Sequence, residues 1–340
     1  MKANNTVTRI ALNRRRFLQG TAALTVAGMT SSLSQVARAA DFPERPLQVY
    51  IPTRAGGGAD RNFRSFAGVW KNHLNEDLEP QFFPGAAGRV GYETYMGKAS
   101  DDCHELIFGN MGPEVLNWVV KKPTFALEDY FYFTRVDADP GCIFISTDSA
   151  MKTLEDVVAE GKKRTLTVGT SRLAHPASLG MLVLANKTGM KVNLIPLSGG
   201  KNTRNGVLTG EVDLGVLPVT SAMGRKGVNV AGLFEEKNVL PDQLPNAVLV
   251  NTEYDLGIPP LAAGARAFGI KKAAVDKHPE RFDTLVKSAM MVFDDPAYKE
   301  AIATAKAPWE YISPGDANAC AEYVRNITEV GEQYRDLLTG

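Results

Sequence analysis

The chain has 340 residues, 22% of them charged and 44% hydrophobic, with Lys plus Arg equal to Asp plus Glu at 38 each. That balance leaves no basic footprint for nucleic acid. Three cysteines are too few for a disulfide framework, and four histidines without shared ligand spacing give no reason to expect a metal or another cofactor.

The charge is uneven along the chain. Lys2, Arg9, Arg14, Arg15, Arg16 and Arg38 fall within the first 39 positions with no acid among them, which leaves 32 basic against 38 acidic residues beyond. The order is basic segment, apolar run (Thr21 to Met29), then Ala37-Arg38-Ala39, which is that of a secretory signal. The paired arginines before Phe17-Leu18 match the twin-arginine type, so residues 1–39 are expected to be a leader cleaved after about Ala39. The run is far short of the ~20 residues needed to span a bilayer, and the remainder is expected in the periplasm.

From there apolar strand-like runs alternate with helix-patterned stretches, the signature of an α/β fold. Leu47 to Ile51 leads through glycines to a helix over Asn62 to Leu74. A run near Gln81 to Phe83, a second glycine turn and a helix to about Ala99 follow. Glu105 to Asn110 and Phe131 to Ala138 read as strands. A second set begins with Gly141 to Ser146. A helix capped by Thr153 and Asp156 and stopped by Gly161 comes next, then strands over Thr165 to Ser171, Lys191 to Leu197 and Glu211 to Pro218. The tail is mostly helical: Lys271 to Met290, Asp295 to Thr304, and Pro314 to Leu337 with Ser313 as its cap. The pattern predicts a first lobe over residues 40–139, a second over 140–260, and a return to the first over 261–340, with the chain crossing near Asp139 and near Ile258 to Gly264.

Several strand ends are followed by turns rich in Gly, Ser, Thr or Asn. Ligands of open α/β sheets bind beyond the carboxyl ends of the strands, where such turns gather. Their bare N–H groups and helix starts suit an anion. The candidate ligand-binding residues are Arg54, Gly56, Gly57, Gly58, Ala59 and Asp60 in the first turn, then Gly85, Ala86, Ala87 and Gly88 in the second. Asn110 and Met111 follow the third strand. Thr170, Ser171, Arg172, Ser178, Ser198, Gly199 and Asp213 come from the second set. Asp60 reads mainly as a helix-start acid that complements the dipole, and Asp213 leans structural. Phe63, Phe83 and Met111 read as core or as an apolar wall. Arg54 and Arg172 are equally readable as partners of a second carboxylate or as solvated or bridging side chains.

The stretches FPERPLQVYIPTRAGGGAD, PGAAGRVG, LIFGN and LTGEVDLG resemble the periplasmic receptors of tripartite tricarboxylate transporters, the Bug-type binding proteins, over essentially the whole chain after the leader. The resemblance implies a two-lobed periplasmic binding protein fold of type II-like form. It also implies a small organic carboxylate (a di- or tricarboxylate, aliphatic or aromatic) held by backbone amides as the lobes close, and transient membrane transporter partners for a monomeric receptor without cofactor. The chain departs from the family pattern at Arg54, Cys103, Arg172, Ser178 and Leu197-Ser198.

The competing reading is an exported serine hydrolase of a carboxylate ester, with Ser171 or Ser178, His175 and Asp213. No Gly-x-Ser-x-Gly surrounds either serine, and the glycines fit neither a dinucleotide nor a P-loop motif, so a receptor and not an enzyme is expected.

Overall fold

The computed structural model describes residues 42–339, so the expected leader lies outside the described residues. By its contacts the chain divides into residues 1–44 and a body of residues 45–340. The body contains thirteen strands and twelve α-helices among the described residues.

Two sheets organise it. The first holds β1 (Leu47–Ile51), β2 (Leu78–Phe82), β3 (Glu105–Asn110), β4 (Tyr130–Asp137), β12 (Arg266–Lys271) and β13 (Ile312–Gly315), in the order β13-β4-β12-β3-β1-β2. The second holds β5 (Asp139–Ser146), β6 (Leu166–Thr170), β7 (Val192–Pro196), β8 (Leu214–Pro218), β9 (Val228–Leu233) and β10 (Val248–Leu249), in the order β10-β9-β5-β8-β6-β7. The short β11 (Ala262–Gly264) pairs with β5. The helices follow in chain order: α1 (Gly58–Leu74), α2 (Arg89–Lys98), α3 (Met111–Val120), α4 (Leu154–Lys163), α5 (Pro176–Thr188), α6 (Gly200–Thr209), α7 (Val250–Glu253), α8 (Lys272–Lys277), α9 (Pro279–Asp294), α10 (Pro296–Thr304), α11 (Ala317–Gln333) and α12 (Arg335–Thr339).

Apolar spacing explains how these elements dock. In α1, Ala59, Phe63, Phe66, Trp70 and Leu74 recur at three- and four-residue intervals, so one face is apolar and buried. Phe63, Phe66 and Trp70 meet Phe108 of β3 and Phe268 of β12 with ring centroids 4.9–6.3 Å apart. Each such ring removed from water contributes roughly 1.5–3 kcal/mol. In the second sheet Ile143, Ile145, Val168 and Val216 bury against Leu179 and Leu184 of α5 and against Phe234.

Direction matters more for function. β1, β2 and β3 are mutually parallel neighbours, so their carboxyl ends share one edge. β8, β6 and β7 are likewise parallel neighbours in the second sheet. The chain passes from the first sheet to the second through Ala138 and returns between Gly264 and Arg266. Because β5 is antiparallel to β8, its first residues lie beside Pro218, at the carboxyl end of β8. Arg266 pairs opposite Asn110, at the carboxyl end of β3. Both crossings therefore stand at the edge where the turns emerge.

A buried polar knot fixes these crossings. Asp137 accepts hydrogen bonds from the backbone and guanidinium N–H groups of Arg266 and, at 2.8 Å, from Asn62 Nδ2. Asp139 accepts at 3.1 Å from Thr220 N and also from Thr220 Oγ1. Burial pulls the Arg266 guanidinium down, but Asp137 and Asp139 outweigh it and hold the group above its ordinary value.

Several details depart from the sequence reading. The tail stretch from Lys271 to Met290 is two helices, because His278-Pro279 interrupts the first; the residue before a proline is pushed out of helical geometry. Asp316, not Ser313, caps α11, accepting from Ala319 N at 2.9 Å, while Ser313 and Pro314 belong to β13. Gly161 lies inside α4, which runs on to Lys163. Thr153 and Asp156 do form the expected reciprocal cap. Cys103, Cys142 and Cys320 are buried free thiols, each raised above its ordinary value by burial.

The polar knot gives a stability prediction. Arg266→Ala would leave Asp137 buried without its cation and is expected to lower the unfolding free energy by about 3–5 kcal/mol in urea denaturation. A loss below about 1 kcal/mol would mean that the pair does not hold the crossing.

Candidate functional site

The expected turns occupy neighbouring strand ends. After β1 the chain runs through Arg54 to Gly57 into α1. After β2, Gly85, Ala86, Ala87 and Gly88 have φ of 141°, 43°, 57° and 108°, four consecutive left-handed residues. Ala86 and Ala87 hold this conformation without being glycine, a strained arrangement that clusters at functional sites. Gly88 cannot be replaced cheaply, since a Cβ there would sit 3.0 Å from Glu114 Oε1.

Four of the five helices that begin at these turns start without a side-chain cap; α5, after the third turn, is capped by His175. Gly57, Gly88, Asn110 and Gly199 precede α1, α2, α3 and α6 and supply none. Thr153, Asp295 and Asp316, which open helices elsewhere, each cap with a side chain. The first N–H groups of a helix have no partner within it, so the starts after Gly57, Gly88 and Gly199 offer donors and positive dipole ends, whereas in α3 Met111 N already donates to Ala265 O at 2.9 Å and Pro113 has no N–H.

Arg172 ties the two sheets together. Its Nη1 donates to Ala87 O at 2.7 Å and lies 3.4 Å from Glu114 Oε1 on α3. Asn117 Nδ2 reaches the same Ala87 carbonyl at 3.0 Å. Of the two readings open for Arg172, the structure gives the bridging one. Glu114 is 1% exposed, and its Oε2 has no hydrogen-bond partner among the described residues. Burial pushes its carboxyl up to about 7 against the pull of Arg172.

The other expected residues divide into two groups. Arg54, Gly56, Gly57, Gly58, Gly85, Ala86, Ala87, Ser171, Ser198 and Gly199 keep exposed or half-buried positions at the strand ends. Ala59, Asp60, Gly88, Asn110, Met111, Thr170 and Ser178 are buried beneath them. Asp60 accepts from Gly56 N and from Arg64 Nε, both at 2.7 Å, and so shapes the first turn. Thr170 Oγ1 and Ser178 Oγ lie 2.7 Å apart, and both donate to Arg172 O, at 3.0 and 3.2 Å. Those hydroxyls hold the third turn and are not free to point at a ligand. Asn110 Nδ2 donates to Ala263 O at 2.9 Å. Met111 and Phe63 are core, and Phe83 stacks on Tyr50 at 5.1 Å.

Asp213 is a correction. It stands before β8, at the amino end, one strand length from the turns. There it accepts from Arg164 Nη2 at 2.8 Å and from Thr167 N at 2.7 Å, and it lines a hollow of about 670 Å³ with Ser146, Asp148 and Glu160. Its sequence position beside a strand could not say which end of the strand it occupied.

The triad of the hydrolase reading is not assembled. His175 Nδ1 accepts from Ala177 N at 3.2 Å as the cap of α5, and burial, aided by Arg172 and Arg266, lowers its imidazole to about 3. With Nδ1 committed to the cap, its basicity lowered by burial, and Asp213 at the far strand end, His175 is not arranged to activate Ser171 or Ser178.

With that geometry in view, comparison with known proteins decides the family likeness. No family model matches the chain. It is 28% identical over 188 residues to the UPF0065 protein in the TAR-I ttuE-ttuC' intergenic region of Agrobacterium vitis, covering 54% of each chain. It is 25% identical over 174 residues to Protein BugT of Bordetella pertussis, covering 50% of this chain and 53% of that one. The chain thus spans little more than half the length of these curated relatives. Among solved structures, the periplasmic binding protein BugD aligns with a TM-score of 0.72 at 20% identity, over 87% of this chain and 98% of that one. A protein of R. palustris solved with adipate gives 0.73 at 15% identity and the same coverage. MatC of Rhodopseudomonas palustris, solved with bound malate, gives 0.66 at 18% identity, over 87% of this chain and all of MatC. The resemblance to the Bug-type receptors holds. The Bug-like chain has the two-lobed α/β fold of periplasmic binding proteins, the class by which two solved neighbours are named.

Glu114 was not legible as a site residue, and its burial gives a pH prediction. The folded protein holds this proton more tightly than an unfolded chain, whose carboxyl titrates near the ordinary 4.5. The resulting stability is full below about 4.5 and is lost as pH rises through about 7. Glu114→Gln should therefore flatten the fall in melting temperature between about pH 5 and 8. An unchanged profile would exclude Glu114 as its source.

Proposed function

We propose that the protein is a periplasmic solute-binding receptor that captures a small organic carboxylate and hands it to a tripartite tricarboxylate-type membrane transporter. In this reading residues 1–39 are a twin-arginine leader. Residues 40–139 and 261–340 form one lobe, residues 140–260 form the other, and the mature protein acts as a monomer.

The observation that carries the reading is the set of uncapped helix starts at Gly57, Gly88 and Gly199, at the carboxyl ends of strands in both sheets. A carboxylate docks on the N–H groups of one lobe, and contacts made across both lobes then drive closure. Such donors need no reorganisation and little formal charge. Adipate and malate, the ligands of two structural neighbours, are of this chemical class.

A thermal-shift screen of mono-, di- and tricarboxylates tests the ligand class. Binding at a hundredfold excess over Kd stabilises the folded state by about 2.7 kcal/mol, enough to raise the melting temperature by several degrees. If no carboxylate moves the melting temperature, the ligand class is wrong.

Gly57→Val tests the site. The φ of Gly57 is −78°, which any residue adopts, and an added Cβ would meet only Arg54 O, at 3.2 Å. The fold should survive, while the branched side chain covers the N–H groups and removes binding as measured by calorimetry. Unchanged affinity would take the first turn out of the site.

A further inference from the structure

A second hollow lies away from the turns. It has a volume of about 650 Å³ and sits between α3, the loop that follows it, the first residues of β4 and α11. Tyr130 begins β4 opposite Lys271, the last residue of β12, whereas Arg266 begins β12 opposite Asn110. The hollow therefore stands at the far end of the sheet from the carboxyl end of β3, a strand length from the candidate site.

Side-chain size explains the space. On α11, Ala317, Cys320, Ala321 and Val324 recur at three- and four-residue intervals, so a face of small residues looks onto the hollow. Farther along, the two helices touch: a Cβ on Gly331 would sit 2.7 Å from Leu116 Cδ2. Opposite the small face stand large rings that brace one another and so do not collapse into the gap. Trp118 packs edge-on against Phe125 at 5.6 Å, Phe125 against Tyr130 at 5.7 Å, and Tyr130 against Tyr132 at 5.7 Å. Trp118 Nε1 donates to the Tyr130 hydroxyl at 3.2 Å. The Arg89 guanidinium lies 4.7 Å over the Trp118 ring and donates to Lys122 O at 3.1 Å, which ties down the loop. Close-packed interiors leave few voids larger than a water molecule, whereas this braced space has the size that small organic ligands occupy.

Its chemistry is the opposite of that at the turns. The buried wall consists of Val115, Trp118, Val119, Tyr130, Tyr132 and Cys320. Burial pushes the Tyr130 hydroxyl and the Cys320 thiol up to about 12, so neither is charged near neutral pH. Lys122, Glu128, Arg325 and Glu332, of both signs, are exposed at the mouth. An ion entering the hollow would lose water and meet no buried counter-charge. An uncharged ring loses little hydration and gains aromatic and sulfur contacts. Phe131 is half-buried and Leu127 is 46% exposed at the same place, so a guest also covers apolar surface that faces solvent.

We propose that this hollow is a second ligand site that takes a small, uncharged aromatic molecule. The site goes beyond the receptor reading and does not depend on it, since no residue of its wall belongs to the turns.

Titration of the purified protein with N-phenyl-1-naphthylamine, an uncharged dye that fluoresces on leaving water, tests this. Saturable binding at a single site is expected. In competition, 2-naphthol should displace the dye at least tenfold more effectively than 2-naphthoate, which has the same rings and a charge. Two variants fill the hollow from α11: Ala321→Trp at an exposed position and Ala317→Phe at a half-buried one. Each should weaken dye binding tenfold or more while the melting temperature without dye stays within a few degrees. A variant that fails to fold leaves the decision to the other. Absence of saturable binding, or filled variants that bind within about twofold of the unaltered protein, would overturn the site. Equal displacement by naphthol and naphthoate would overturn the ligand class.

Discussion

Arg266 sits where two chain crossings meet, buried between Asp137 and Asp139, and the placement of the turns depends on how that charge is satisfied. Asp137 ends β4 and Asp139 begins β5, so one side chain reads both sides of the passage between sheets. Asn62 of α1 joins at Asp137, and Thr220, in the turn after β8, joins at Asp139, which extends the network to an element on either side. A buried ion pair is often no more stabilising than an apolar replacement. Here its geometric effect is to hold the carboxyl ends of two separate sheets at one edge, where scattered glycine turns become a single surface.

That surface is made from backbone. Side-chain caps would have occupied the N–H groups that follow Gly57, Gly88 and Gly199, and α1, α2 and α6 start without one. The hydroxyls of Thr170 and Ser178 and the carboxylate of Asp60 work one layer down. They fix the turns that present the amides, so the donors stand in place before any ligand arrives. The strained run from Gly85 to Gly88 fits the same logic, because its carbonyl at Ala87 is held by Asn117 and Arg172 from different elements.

The alternation of strands and helices and the glycine turns after β1, β2, β6 and β7 could be read from the sequence, because hydrophobic period and turn chemistry are local properties. The helix α3 was not read: its Met-Gly-Pro start follows directly on Asn110 with no polar break, so the strand run gave no sign of where it turned helical. Glu114 lies within that unread helix, and nothing local marks a glutamate as buried. Asp213, a ligand candidate that leaned structural, stands at the amino end of β8, which local sequence could not say because a strand's direction within a sheet is set by its neighbours.

Arg172 shows how closure and selectivity can share a part. It belongs to the third turn, yet its guanidinium rests on the second, beside a carboxyl that burial makes reluctant to ionise. A fully charged Glu114 would hold Arg172 firmly and oppose an incoming carboxylate, whereas a protonated one leaves the guanidinium on Ala87 O with positive charge to spare. Near neutral pH the group lies between these limits, so in the proposed receptor a ligand's charge and the Glu114 proton are coupled through one arginine. In that proposal the backbone amides set where an anion rests. Arg172 links that position to the approach of the two sheets.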